Sequence, residues 1–227
     1  AHWPIHAPEK SIEKYLKTYE GGWEKLRKER YARMLKMGVI DKERWPLPPL
    51  EDRVKPWDAI DHKPWRIRNM AIYAAMVDHM DQAVGKIVDS LKRTKQLDDT
   101  LIIYFHDNGA CPEHLGGNGW NTANNILAKA KKAGKTIAVG DKFDVPMGGP
   151  MTYGSVGHNW ANAQNTPMRR YKMNVHNGGA CTPAIVHWPD GLKTKPGSIS
   201  DQRGHVIDMM ATCLELAETK YPEEFNG

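Results

Sequence analysis

An α/β fold, with a mixed and largely parallel sheet between helices, is what this sequence predicts, and three observations predict it. Across residues 67–97 the apolar side chains Met70, Tyr73, Val77, Met80, Val84, Ile87 and Leu91 recur every three or four positions, the period of an amphipathic helix. Asp98-Asp99-Thr100 then turns the chain into residues 101–105, a continuous apolar run that reads as a strand buried on both faces of a parallel sheet. A second strand-then-helix unit follows. Residues 180–188 read as the strand and 204–217 as the helix, with Val206, Met209, Met210, Cys213 and Leu214 facing inward.

The remaining segments fit around these units. Within residues 1–40, positions 9–40 carry a helical period through Ile12, Tyr15, Leu16, Tyr19, Trp23, Leu26, Tyr31, Met34 and Leu35, interrupted at Gly21-Gly22, which predicts a helix pair. Five prolines make residues 45–65 a surface loop. Residues 67–110 hold the long helix, the strand and the polar residues after it, and 180–227 hold the second unit. Between them 111–179 form a Gly- and Asn-rich irregular stretch, and a long irregular stretch in a compact domain is usually functional. No repeat or low-complexity tract divides the chain, and 1–227 reads as one domain.

Composition narrows the function classes. At 227 residues the chain is long enough for one sizeable core, or one core plus a minor lobe. Its net charge of +5 is spread among nearly as many acids, which argues against nucleic-acid binding. The densest basic stretch, Lys129, Lys131, Lys132, Lys135 and Lys142, reads as a solvated helix face and its following loop. No apolar run approaches the roughly 20 residues of a membrane span. The three cysteines show neither metal spacing nor a disulfide framework, although one bridge stays open. The opening AHWPIHAPEK lacks an initiating Met and a signal peptide, so the sequence is expected to be cut or processed from something longer.

Asp107 and Asn108 follow the first strand directly, where ligands bind in open α/β sheets. A carboxylate and an amide oxygen are hard donors suited to calcium or magnesium; spacing alone serves a strand-ending Asp-Asn-Gly turn equally well. Lys172 precedes Gly178-Gly179, which permit close backbone approach, and it would hold an oxyanion as a point charge or lie on the surface as an ordinary lysine. His2, His6, His158 and His176 lie among Pro, Gly and Asn and read as loop histidines. Asp208 reads as a helix cap or hydrogen-bond partner.

The segments AHWPIHAP, MAIYAAMVDHMDQAVGKIVDSLKRTKQLDDTLIIYFHDNGA, WANAQNTPMRRYKMNVHNGGACTPAIVHWP and HVIDMMATCLELA, in that order, resemble the formylglycine-dependent (type I) sulfatases, the arylsulfatase branch of the alkaline phosphatase superfamily. The resemblance covers nearly the whole chain and implies the C-terminal half of the catalytic domain. It implies that Asp107 and Asn108 ligate calcium, with magnesium as the alternative, and that His2 and Lys172 act in catalysis on the sulfate, with His158 also contacting substrate. The substrate class implied is a sulfated small molecule or carbohydrate, and the location periplasmic or secreted.

The departures from that family pattern shape further expectations. The Cys-x-Pro-Ser-Arg type motif that yields formylglycine is absent, and the cofactor is expected in an N-terminal part that precedes this chain. Cys181-Thr182-Pro183-Ala184-Ile185 imitates its beginning but carries Ile185 in place of Arg. His106 stands where a Ser is usual and Asn177 where a Glu is usual. The fragment alone is expected to be inactive and to self-associate through exposed sheet edge. The alternatives are a phosphodiesterase or phosphonate hydrolase of the same superfamily, or a non-catalytic sugar-binding relative.

Overall fold

The computed structural model describes residues 2–115, 121–222 and 224. Ala1 in the first segment, 116–120 in the irregular stretch, and 223 and 225–227 at the end lie outside the described residues. The chain forms two units, Ala1–Gly191 and Leu192–Gly227. In the first, α1 (Glu9–Glu13), a 3-10 turn (Leu16–Tyr19) and α2 (Gly22–Lys36) precede a second 3-10 turn (Trp57–Ala59) and the long α3 (Lys63–Arg93). Then come β1 (Ile102–Phe105), α4 (Asn121–Lys132), β2 (Ala138–Val139), β3 (Thr152–Tyr153), α5 (Gly157–Gln164), α6 (Asn177–Ala180) and β4 (Ala184–His187). The second unit carries α7 (Asp208–Leu216).

The fold is mixed α/β, as the sequence predicts, with differences of detail that have physical reasons. α3 starts four residues earlier than its apolar period, because Pro64 falls in the first turn, where the missing N–H costs nothing. β1 pairs with β4 antiparallel, Ile102 opposite His187 and Phe105 opposite Ala184, instead of lying inside a parallel sheet. The direction follows from the start of β4: the Thr182 hydroxyl donates to the His106 carbonyl at 2.7 Å, so β4 departs from the end at which β1 arrives. β2 and β3 are parallel. The irregular stretch contains α4, α5 and α6, and its basic residues from Lys129 to Lys142 are exposed as expected.

A cluster of indoles forms the core of the first unit. Trp23 meets Trp57 edge to face at 4.7 Å and Trp160 at 5.3 Å, and Tyr19 meets Trp160 at 5.5 Å. Buried indole N–H groups need acceptors, and two find them: Trp23 donates to the Lys55 carbonyl at 2.9 Å and Trp160 to that of Arg66 at 3.0 Å. The Pro-rich loop is therefore part of the core wall, with Val54 and Trp57 buried. α3 supplies Trp65, Met70, Ala71, Ile72 and Ala75, while α1 is held on it by a two-bonded Arg68–Glu9 pair at 2.7 and 2.6 Å.

The apolar pattern extends beyond this core. From Val77 onward no residue of α3 is buried, yet Val77, Met80, Val84, Ile87 and Leu91 continue its stripe. Ile185 and Val186 of β4 are exposed, so this pair is a bare ribbon. In the second unit α7 buries no residue: Val206, Met210 and Cys213 are exposed, and Met209 and Leu214 only partly covered. This corrects the inward-facing expectation; α7 is the only regular element among that unit's described residues, so its apolar side has no second layer there. Asp208 opens it as a hydrogen-bond partner and not as a cap: its carboxylate accepts from the N–H of His205, ahead of the helix, at 2.6 Å, and the N-cap position is Ile207. Among the described residues no helix is long and apolar enough to cross a membrane.

Trp160→Ala is expected to cost about 3–5 kcal/mol of stability, read as an earlier urea midpoint by far-ultraviolet circular dichroism. A wild-type midpoint would mean that the indole cluster does not hold α5.

Candidate active site

The loop after β1 reaches α6, the short helix ahead of β4, because glycines let the two backbones touch. The Gly109 N–H donates to the Gly179 carbonyl at 3.0 Å, and a Cβ on Gly109 would stand 1.7 Å from the Gly178 oxygen. On Gly178 it would stand 2.2 Å from the Arg170 oxygen, and on Gly179 1.9 Å from that of Asn174. The side chain of Asn165 locks this contact: its oxygen accepts from Ala110 N–H at 3.0 Å, and its amide donates to the carbonyls of Arg170 at 2.9 Å and Gly178 at 2.7 Å. The Lys172 N–H donates to the Ala110 carbonyl at 3.0 Å. Asp107 and Asn108 thus end β1 beside the Lys172 segment.

Their side chains keep oxygen atoms for other partners. Asn108 donates its amide hydrogen to the Gly109 carbonyl at 2.8 Å, which leaves its oxygen as an acceptor. Asp107 is exposed, and among the described residues nothing hydrogen-bonds or ion-pairs with its carboxylate. No cluster of three or more His, Cys, Asp or Glu suited to a metal occurs among the described residues. Around them, the ring of His106 lies 3.3 Å from the Tyr104 hydroxyl, and Asn177 opens α6. All three cysteines are free, and Cys181, exposed, caps α6 just ahead of β4.

Lys172 and the His2 segment converge on Glu113, a residue the sequence reading did not single out. Its carboxylate oxygen Oε2 accepts from the Trp3 indole N–H and from the Cys111 thiol at 2.9 Å, and lies 3.7 Å from Lys172 Nζ. Burial by itself pushes the Glu113 carboxyl up, but the hydrogen bonds from Cys111 and Trp3 and the charges of Lys172 and His2 together outweigh it and hold the group below its usual range. Burial, then the bond to Glu113, pushes the Cys111 thiol up to about 12, so it stays protonated and serves as a donor. His2 is exposed and its Nδ1 donates to the Trp3 carbonyl at 2.8 Å, which leaves Nε2 for another partner. The segment is fixed beyond it, Ile5 N–H donating to the Gly154 carbonyl at 3.1 Å and Ala7 N–H to Gly148 at 3.2 Å. The signal available in the sequence was an acid in Cys111-Pro112-Glu113, just past the strand end.

His158 belongs to a different arrangement. Its Nε2 lies 2.5 Å from the Arg53 carbonyl, which can only accept, so the hydrogen sits on Nε2 and Nδ1 accepts from His114 Nε2 at 2.7 Å. Both ring nitrogens are engaged, and a substrate contact would have to break one bond. Asp141 lies 3.7 Å beyond His114. Burial pushes Asp141 up, but the bond and charge of His114, with Arg66 and His158, bring it below its usual range. Burial, then the charge of His114, lowers His158 from its ordinary 6.5.

Comparison with known proteins gives a consistent picture. The sulfatase family model matches residues 1–219. The chain is 33% identical over 232 residues to an uncharacterized sulfatase of Schizosaccharomyces pombe, covering all of this chain and 39% of that protein. It is 30% identical over 224 residues to an arylsulfatase of Klebsiella aerogenes, covering 95% of this chain and 44% of the relative. An N-acetylgalactosamine-6-sulfatase of Sus scrofa is 26% identical over 152 residues, 67% of this chain and 20% of that protein. The chain spans less than half the length of these relatives.

The histidine pair makes stability depend on pH. With its folded value below 6.5, His158 stays neutral in the native state while the unfolded chain takes up a proton, so its contribution is complete above that pH and is lost as pH falls through the folded value. Asp141 acts in the same direction below its ordinary 3.8. The melting temperature should therefore fall between about pH 7.5 and 5.5, and His158→Gln should flatten the fall. An unchanged slope in the variant would remove His158 as its source.

Proposed function

The chain belongs to the sulfatase family, and from that premise we propose that the whole protein hydrolyses sulfate esters, with Lys172 and His2 on the sulfate and Asp107 and Asn108 among the ligands of a calcium ion. The observation that carries the reading is the approach of the Asp107-Asn108 loop to the Lys172 backbone, with the His2 segment joined to both through Glu113. The substrate class proposed is a sulfated small molecule or carbohydrate, in keeping with relatives named arylsulfatase and N-acetylgalactosamine-6-sulfatase.

The donor set fits a hard cation: one carboxylate and one amide oxygen, the first without a protein partner among the described residues and the second with its oxygen spare. They are two of the six to eight oxygens calcium takes, so the rest of the shell comes from elsewhere. When bound, the ion supplies Lewis-acid charge at the sulfate oxygens. Lys172 contributes a compact positive charge where negative charge spreads over those oxygens, and an interaction that strengthens as the S–O bond breaks lowers the barrier. His2 offers Nε2 as the acceptor or donor for a sulfate or leaving-group oxygen. The nucleophile, proposed to be a formylglycine, comes from outside these 227 residues. For the 227-residue chain taken alone, we propose inactivity and self-association through the bare β1–β4 ribbon.

The full-length protein should release phenol from a chromogenic aryl sulfate, lose activity with a calcium chelator and regain it with calcium. Lys172→Ala should lower kcat/KM by about 10²–10³-fold. A full-length protein inactive on aryl and sugar sulfates would sink the reading.

Calorimetry on the 227-residue chain should find calcium binding no tighter than about 10⁻⁴ M. Tight stoichiometric binding that survives Asp107→Ala would place the ion elsewhere.

A further inference from the structure

We propose that Glu113 is the positioning residue for Lys172, holding its ammonium ready for the sulfate and tying it to the segment that bears His2; the proposal rests on the sulfatase reading above. Glu113 is 9% exposed, and a carboxylate that far from water persists only when it is paired. Its partners come from three separate stretches of chain. Trp3 belongs to the segment before α1, Cys111 to the loop after β1, and Lys172 to the loop before α6. One oxygen, Oε2, meets all three. The Glu113 backbone is fixed as well, its carbonyl accepting from the Ser155 hydroxyl at 2.6 Å.

The consequence lies in the flexibility of lysine. Its ammonium rides on a four-carbon stem with many rotamers, and an unrestrained side chain has to be ordered at the moment the sulfate arrives. The ion pair with Glu113 orders it beforehand. With side-chain exposures of 23% for Lys172 and 8% for Glu113, the pair is screened less than a surface pair. Glu113 also sets a negative charge near the incoming sulfate, which weakens ground-state attraction. Removing only that charge should therefore lower kcat without raising KM, whereas a general loosening of the fold would raise KM and lower the melting temperature.

Glu113→Gln keeps an oxygen acceptor for Trp3 and Cys111 and deletes the charge. In the full-length protein it should lower kcat on an aryl sulfate about tenfold or more, with KM unchanged or lower. Added to Lys172→Ala it should cause no further loss, because a residue acting through Lys172 has nothing left to act on. A raised KM, or an independent loss in the Lys172→Ala background, overturns the proposal. Failure of the full-length protein to cleave any sulfate ester sinks the functional reading instead, and the positioning is then read without turnover. Acetylation of Lys172 by an N-hydroxysuccinimide ester, followed by peptide mass spectrometry, should run severalfold faster in Glu113→Gln than in wild type, other lysines being unchanged. An unchanged rate overturns the pairing. Should Glu113→Gln not fold, Trp3→Phe removes the indole donor while leaving the charge; a smaller rise in Lys172 labelling is expected, and a wild-type rate overturns the proposal.

Discussion

Backbone contact at Gly109, Gly178 and Gly179 is the constraint on which the rest of the site depends. A Cβ at any of the three would stand well inside van der Waals distance of a carbonyl oxygen, so the approach of the two segments exists only because side chains are missing there. From that contact follow the antiparallel pairing of β1 with β4, the hydrogen bond from Lys172 to Ala110, and the nearness of Asp107-Asn108 to the Lys172 segment. Asn165 completes it by satisfying backbone groups that the close approach takes out of water.

Around this contact, buried and half-buried carboxylates are paired in ways that join distant segments. Glu51, from the Pro-rich loop, accepts from the Arg170 N–H at 2.5 Å and lies 3.0 Å from its guanidinium, two residues before Lys172. Glu113 collects Trp3, Cys111 and Lys172, and Asp141 faces the histidine pair that reaches Arg53. Each buried charge costs desolvation free energy and is retained with partners in place. The loop at residues 45–65, irregular by its prolines, is consequently bound to the site at Glu51 and Arg53 and to the core at Trp57.

The indole core explains why short elements suffice. Trp23, Trp57 and Trp160 each bring a large apolar area to one point, and the edge-to-face contacts of Trp23 join α2 to the 3-10 turn within the Pro-rich loop and to α5 without a sheet between them. The apolar stripe in the second half of α3 and the β4 side chains Ile185 and Val186 have no such partner among the described residues. Their pattern is that of surfaces made to be covered.

The sequence by itself determined α3, β1 and α7, because a 3.6-residue apolar period and a bounded apolar run are local signals that need no knowledge of the partner. It also determined that Asp107 and Asn108 end a strand and that two glycines follow Lys172, since these are facts of order along the chain. Only the tertiary structure decided what those residues meet. The antiparallel direction of β4, the exposure of the α7 face, the engaged ring of His158, and the roles of Asn165 and Glu113 all depend on segments far apart in sequence. Glu113 and Trp3 are separated by 110 positions, and no periodicity or spacing records that distance. Their contact arises because a buried carboxylate must find its donors wherever the fold brings them.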